Sequence, residues 1–237
     1  LSIIIPYYYR IDIATETIKI LSEQSKLLKR NIEIIIVDSY TNSCDINICQ
    51  ELLGSSFVEL HVINAKNNLS SKRNAGTRKA KAKYLIFLDD DCLPRENFIR
   101  SFLNLSINSD GIHSSLVVFP KAHSPYTFYR ARKEYCINNN FKNGQIIGPY
   151  NSVAMAFGIP TYIVNKFKLY FDESYDGYGW EDPDYFIRAS LNGIPLRFST
   201  DASILHIENS KAKSYFNKQV MLGELVFYFS SKASNKS

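Results

Sequence analysis

Cysteine is scarce in this chain of 237 residues, tryptophan occurs once, and there is no long apolar run. The four cysteines, Cys44, Cys49, Cys92 and Cys136, form no CxxC pair and no zinc spacing. Few, scattered cysteines in a chain of this size fit a reducing, cytoplasmic compartment. No segment approaches the ~20 apolar residues of a membrane span, and no signal-peptide pattern is visible. Leu1 lies inside an apolar, strand-like run, so the natural start is expected upstream. Neither GxxxxGK[ST] nor GxGxxG occurs, which counts against P-loop and dinucleotide sites. Basic residues form no stripe interleaved with aromatics, so the formal charge of +5 does not call for nucleic acid. Such a balance would instead favour an anionic nucleotide or an acidic membrane surface.

What is present is ordinary for a folded protein: 45% hydrophobic and 22% charged residues, with 16 Tyr and 15 Phe. Most of these rings are expected in the core; a tyrosine surplus also suits sugar-facing surfaces. The first half alternates apolar runs with helical periodicity. Strands are expected over Leu1 to Ile5, Ile32 to Val37, Phe57 to Ile63 and Tyr84 to Leu88, with helices over Asp12 to Lys29, Asp45 to Leu53 and Ser70 to Ala82. This is the pattern of a parallel sheet covered by helices, in which ligands bind outside the carboxyl ends of the strands. Asp38 and Asp89 sit at two such ends and are expected to face one crevice. The cluster Lys72, Arg73, Arg78, Lys79, Lys81 and Lys83 reads mainly as a solvated helix face, with contact to phosphates as the other reading.

The second half is less regular. A helix is expected over Arg95 to Ser106, strands over Ser115 to Phe119 and Ser152 to Phe157, and a helix over Glu181 to Leu191 capped by Gly193. Short strands follow near Leu196 to Phe198 and Ser203 to His206. The segment His123 to Gly148 has no assignable pattern. Ser214 to Phe229 reads as an amphipathic helix for a membrane surface, the domain or a partner. No internal repeat or linker is visible, so a single domain is expected over 1–237.

Three features carry chemistry. Asp89, Asp90 and Asp91 follow the Tyr84 to Leu88 run. Adjacent carboxylates repel unless a cation or solvent offsets them, and their oxygens suit Mg²⁺ or Mn²⁺; a solvated acidic turn is the other reading. The second feature, Asp176 to Asp184, is a Gly- and Tyr-rich loop leading into an acidic helix start. Glu181, Asp182 and Asp184 there are stabilised by the helix dipole whatever else they do. Trp180 beside them is a platform for a sugar ring, and a carboxylate near a hydroxyl is the usual general base of group transfer. The third feature, His206, is a metal ligand or a structural histidine.

Together these residues resemble the GT-A fold glycosyltransferases, in particular glycosyltransferase family 2 and galactosyltransferase-type domains. Ser2 to Tyr9 looks like the family's opening strand and nucleotide loop, and Ile34 to Asp38 like its second strand with the nucleoside-contacting Asp. Lys72-Arg73-Asn74-Ala75-Gly76 resembles the Arg-Asn-x-Gly segment, Leu85 to Asp91 the strand and DxD motif, and Gly179 to Arg188 the acidic ED motif. The resemblance implies an α/β GT-A (Rossmann-like) fold, with a central mostly parallel sheet flanked by helices. It implies a nucleotide-sugar-binding half over 1–119 and a less regular acceptor-binding half over 120–237 with the C-terminal helix.

It further implies a metal-dependent, inverting transferase. A hexose or N-acetylhexosamine would pass from a nucleotide-sugar, a UDP-sugar first, to a glycan or lipid-linked acceptor in polysaccharide synthesis, with Mn²⁺ or Mg²⁺ as cofactor. Asp182 would be the base and Glu181 its helper. Asp91 and His206 would ligate the metal, with Asp89 beside the ribose or in the metal shell. Pro6, Tyr8, Asp38, Arg73, Asp90 and Trp180 would line the donor pocket, Asp90 without an assigned role. Two departures stand out: Ser39 and Tyr40 follow Asp38 where the family often has an acid or Gly, and Met155-Ala156 replaces a small pair near the acceptor. Two rivals remain. A sugar nucleotidyltransferase would need a Gly-rich loop that Pro6 to Arg10 lacks, and a non-catalytic binding subunit would be expected to lose the base or metal residues.

Overall fold

The computed structural model describes residues 1–39, 57–120, 125–129, 140–175, 179–207 and 212–224. The elements are β1 (Ser2–Pro6), α1 (Ile11–Leu28), β2 (Ile32–Asp38), β3 (Val58–Asn64), α2 (Leu69–Lys79), β4 (Tyr84–Leu88), β5 (Cys92–Pro94) and α3 (Phe98–Ser106). They continue with β6 (Ile112–Val118), β7 (Ala156–Pro160), α4 (Thr161–Phe167), α5 (Glu181–Leu191), β8 (Leu196–His206) and α6 (Ala212–Glu224). Eight strands form one sheet in the order β3-β2-β1-β4-β7-β6-β8-β5. The β3-β2-β1-β4 half is parallel throughout, and β6 pairs with β8 in parallel; the pairs β4–β7, β6–β7 and β5–β8 are antiparallel.

Alternation of side chains along each strand feeds two cores. On one face Ile3, Ile5, Ile34 and Ile36 pack with Ala14, Ile18 and Leu21 of α1 and Phe98 and Phe102 of α3. On the other, Ile4, Ile35, Val37, Leu85 and Phe87 pack with Ile163 and Val164 of α4 and Tyr185 and Phe186 of α5. Burial on both faces explains why β1, β2 and β4 read as unbroken apolar runs. Gly76 lets α2 approach β1: a Cβ there would stand 2.3 Å from Ile4 Cγ2. From β1 the sheet extends to β2 on one side and β4 on the other, so the crevice at their carboxyl ends is the switch point where such sheets bind ligands.

Several boundaries differ from the sequence expectation. Helix α2 ends at Lys79, with Ala80 extended. Its basic cluster divides: Arg78, Lys79, Lys81 and Lys83 are exposed, whereas Lys72 and Arg73 are buried. Strand β6 starts at Ile112 because His113, Ser114 and Ser115, though polar, are buried. Strand β7 runs Ala156–Pro160 rather than Ser152 to Phe157; its Gly158 and Pro160 read as breakers, but Gly158 is where Tyr84 comes too close for a Cβ. The two short strands expected after Gly193 are one strand, β8, whose register against β6 jumps from Ser199 to Ser203 between Ser115 and Leu116. Helix α5 matches, and Gly193 at φ +72 closes it: its N–H donates to Ser190 and that of Ile194 to Ala189, a Schellman cap. The helix expected over Asp45 to Leu53 and the tail beyond Glu224 lie outside the described residues.

Candidate active site

A cleft of about 1240 Å³ opens at the carboxyl ends of β1 and β4. Its wall includes Pro6, Tyr8, Arg73, Asp89, Asp90, Asp91, Trp180, Glu181, Asp182 and His206, all expected from sequence. Asp38 is apart from these: it ends β2 buried, with Oδ1 accepting from Ser39 N–H at 2.6 Å and Oδ2 unpartnered, within electrostatic reach of Lys72.

The three consecutive aspartates point three ways. Asp89 Oδ1 accepts from Arg73 Nη2 at 3.0 Å. Asp90 is a clamp on the β1–α1 loop, accepting the Tyr8 N–H at 2.6 Å and the Arg10 guanidinium. Asp91 faces His206, with Oδ1 3.5 Å from Nε2. That meeting depends on β5, a strand of three residues whose antiparallel register puts Cys92 opposite His206. Burial pushes the Asp89 carboxyl up to about 7 against Arg73, and Asp90 to about 6 against Arg10. Burial also opposes ionisation of Asp91, but His206 and then Arg10 outweigh it and hold the group below the usual carboxylate range.

Arg73 joins the two acidic motifs. It is fully buried, and Nη1 donates to Asp182 Oδ1 at 2.5 Å while Nη2 holds Asp89; Glu181 Oε1 is 4.0 Å away. Phe171 lies under the guanidinium, 4.9 Å from ring centroid to Cζ. Burial disfavours its charge, but the three carboxylates prevail and raise its pKa. Burial, reinforced by Asp182 and opposed by Arg73, pushes the Glu181 carboxyl up to about 8, and Glu181 Oε2 is buried without a hydrogen bond. Asp182 is the more open of the pair, its side chain 34% exposed.

Asp91 and His206 offer one carboxylate and one imidazole, ligand types that can hold a divalent cation with phosphate oxygens and water completing its shell. Cys92 Sγ belongs to the same cluster, but burial and then Asp91 push its thiol well above its ordinary range, so it stays a protonated neighbour. The opposite wall was not foreseen. Lys213, Asn217, Lys218 and Leu222 of α6 line the cleft, and Trp180 Nε1 donates to the Leu222 carbonyl at 2.9 Å. Arg10 was missed as a cleft residue, and Lys72, read mainly as helix surface, lines the cleft; Lys72 Nζ donates to the Tyr7 carbonyl at 2.6 Å, and burial lowers its pKa against Asp38 and Asp90. For Arg10 the signal was there, since the loop after β1 shares the crevice; for the α6 residues there was none.

The family model for glycosyl transferase family 2 matches residues 2–172. The chain belongs to that family. Minor teichoic acid biosynthesis protein GgaA of Bacillus subtilis is 26% identical over 196 residues, covering 78% of this chain and 42% of GgaA. Glycosyltransferase GlyG of Streptococcus pneumoniae is 22% identical over 99% of this chain and 80% of its own length. The crystal structure of S. aureus TarS 1-349 in complex with UDP superposes with a TM-score of 0.64 at 15% identity, covering 92% of this chain and 62% of that one. TarS 1-349 in complex with UDP-GlcNAc gives 0.61 at 14% identity, over 89% and 59%. These likenesses establish the GT-A fold. The chain spans less than half of GgaA and less than two thirds of the TarS chains.

Proposed function

We propose that this family 2 chain transfers a sugar from a nucleotide-sugar to an acceptor hydroxyl, in one displacement that inverts the anomeric carbon. The reading rests on one arrangement: the Asp91–His206 pair and the Asp182–Glu181 pair line a single cleft, with Arg73 buried between Asp89 and Asp182. A UDP-sugar, hexosyl or N-acetylhexosaminyl, is the donor of this reading, supported by the TarS complexes of the same fold with UDP and UDP-GlcNAc. The acceptor is a glycan or lipid-linked chain in polysaccharide synthesis, in keeping with the name of GgaA. Residues 1–119 serve the donor and 120–237 the acceptor within one domain.

Asp182 takes the proton of the attacking hydroxyl. Arg73 holds its Oδ1, which fixes the carboxylate and leaves the second oxygen for the acceptor. Glu181, its carboxyl pushed up by burial, keeps a proton and donates from its unpartnered side to a sugar oxygen. Pro6 and Tyr8, clamped through Asp90, and Lys72 form the nucleotide side, with Asp38 behind them. Trp180 flanks the sugar. Asp91 and His206, with Asp89 beside them, would hold Mn²⁺ or Mg²⁺, which when bound supplies Lewis-acid stabilisation of charge developing on the diphosphate. Among the described residues no helix is long and apolar enough to cross a membrane. A peripheral position on the inner membrane face belongs to the same proposal, with exposed Phe216, Val220 and Met221 of α6 turned toward it.

The test is Mn²⁺-dependent binding, hydrolysis and transfer with a panel of UDP-, GDP- and CMP-sugars. One donor is expected to bind and turn over, and Asp182→Asn should lower turnover by ~10²–10⁴-fold with donor binding retained. No metal-dependent binding of any donor would sink the proposal; binding with no turnover under any acceptor would favour a non-catalytic subunit.

A further inference from the structure

The amino ends of β2 and β3, at the opposite edge of the sheet from the cleft, carry a second group of ligand-type side chains. Glu33 on β2 pairs in register with Glu59 on β3, and Ile35 with His61. Alternation therefore puts Glu33, Glu59 and His61 on one face of adjacent strands. His61 Nε2 stands 3.3 Å from Glu33 Oε1 and 3.0 Å from Glu59 Oε1, and the three ligand atoms lie within 4.8 Å of one another.

Two of these atoms lack hydrogen bonds. Glu33 is 5% exposed; its Oε1 and His61 Nε2 are buried and neither makes a hydrogen bond, although they face each other. His61 Nε2 lies within ion-pair distance of both carboxylates at once, so the ring nitrogen and the two oxygens face one shared space. Bonds of about 2.0–2.1 Å at a tetrahedral angle bring ligand atoms to about 3.3 Å from each other, close to the two separations from His61 Nε2.

The outer contacts are already made. Glu33 Oε2 accepts from Ser2 Oγ at 2.5 Å and from Lys81 N–H at 3.0 Å, and Ser2 Oγ in turn accepts from Ala82 N–H at 3.0 Å. This fixes the carboxylate with Oε1 turned to His61, the kind of support that metal-ligating carboxylates have. A small cleft of about 400 Å³, lined by Leu1, Asn31, Glu33, Glu59 and Lys81 among others, opens beside the two carboxylates and connects them to solvent. Lys81 Nζ holds Glu59 Oε1 at 2.9 Å, but its side chain is 63% exposed and free to swing out.

We infer that Glu33, Glu59 and His61 form a divalent-cation site of the zinc type, separate from the cleft, that clamps the edge strand β3 to β2. Imidazole with two carboxylates favours Zn²⁺ over Mg²⁺ or Ca²⁺. The site does not depend on the proposed transferase chemistry, since none of its residues lines the cleft.

Chelator-stripped protein is titrated with Zn²⁺ against a chromophoric chelator, and with Co²⁺ read by its visible absorption. The double variant Asp91→Ala, His206→Ala is expected to retain one Zn²⁺ and a tetrahedral-type Co²⁺ spectrum. His61→Gln should weaken that binding by at least about tenfold, and Lys81→Ala should tighten it. Metal-free melting temperatures of the variants show whether the fold is kept; if His61→Gln does not fold, Glu59→Gln, at a more exposed position, takes its place with the same expected loss. No Zn²⁺ on the Asp91→Ala, His206→Ala protein, or equal affinity in wild type and His61→Gln or Glu59→Gln, would overturn the inference.

Discussion

Arg73 Nη1 donates to Asp182 Oδ1 at 2.5 Å, across 109 residues of sequence. The same guanidinium, wholly buried, also holds Asp89, so one side chain sets the distance between the aspartate triplet and the acidic helix start. Arg73→Met leaves three carboxylates without their counter-charge. It should cost about 3–5 kcal/mol in stability, read by urea unfolding. Arg73→Lys keeps the charge but not the two-pronged donor, so its loss should be intermediate in stability while turnover still falls steeply. Equal turnover in Arg73→Lys and wild type would remove Arg73 from the positioning of Asp182.

Asp91 and His206 are predicted to control metal dependence without being needed for the fold. Asp91 is held ionised by His206 and Arg10, so Asp91→Ala loses a favourable buried charge and should still fold but be modestly less stable than wild type at neutral pH. Its donor affinity in Mn²⁺ should drop to the value seen with chelator. His206→Ala should need roughly 10-fold more Mn²⁺ for half-maximal activity. A metal response unchanged in both variants would place the cation elsewhere.

Much of this site was legible because it lies where apolar runs end. Asp89, Asp90 and Asp91 follow β4, and a buried strand with acids at its carboxyl end is a local signal. The start of α5 was equally plain, since Pro183 and three acids mark a first helical turn. Pairing was not legible. Nothing local says that Cys92–Pro94 forms a strand, yet that strand brings His206 to Asp91. Nor does a basic helix reveal that Lys72 and Arg73 turn inward; their burial follows from carboxylates and carbonyls contributed by other segments. The antiparallel β7 was obscured by Gly158 and Pro160, chosen for contacts with Tyr84 and the following helix rather than for strand propensity.

His113 gives a pH dependence remote from the cleft. It lies on β6, with Nδ1 3.2 Å from the Tyr84 hydroxyl and 3.4 Å from Ser109 Oγ. Burial, then Arg197, lowers its pKa from 6.5 to about 4 against Asp110. The unfolded chain therefore binds this proton at a higher pH than the folded one. Above pH 6.5 both states are neutral at this position and the residue adds no pH dependence; between pH 6.5 and 4 protonation favours the unfolded chain, so stability falls as pH falls. The loss should be on the order of 2 kcal/mol across that window. His113→Gln should flatten that part of the profile in urea titrations; parallel wild-type and variant profiles would contradict the assignment.

Gly179 joins backbone geometry to the shape of the cleft. It sits at φ +97, where a side chain is strained, and a Cβ there would lie 2.1 Å from Leu222 Cδ2 on α6. The next residue, Trp180, donates to the Leu222 carbonyl, so the loop and helix are fastened at two adjacent points. Gly179→Ala must therefore displace the Leu222 side chain and loosen the packing of the loop on α6, whose Lys213, Asn217 and Lys218 wall the cleft. The expected stability cost is about 1–3 kcal/mol. Donor or acceptor KM should rise, while Mn²⁺ affinity, which the proposal assigns to Asp91 and His206 on the other wall, should stay unchanged. Trp180 is the chain's single tryptophan, so its fluorescence reads the same event: loss of the indole hydrogen bond and more water around the ring should shift emission to the red. Unshifted emission together with unchanged KM would mean that the packing of Gly179 on Leu222 does not shape the cleft.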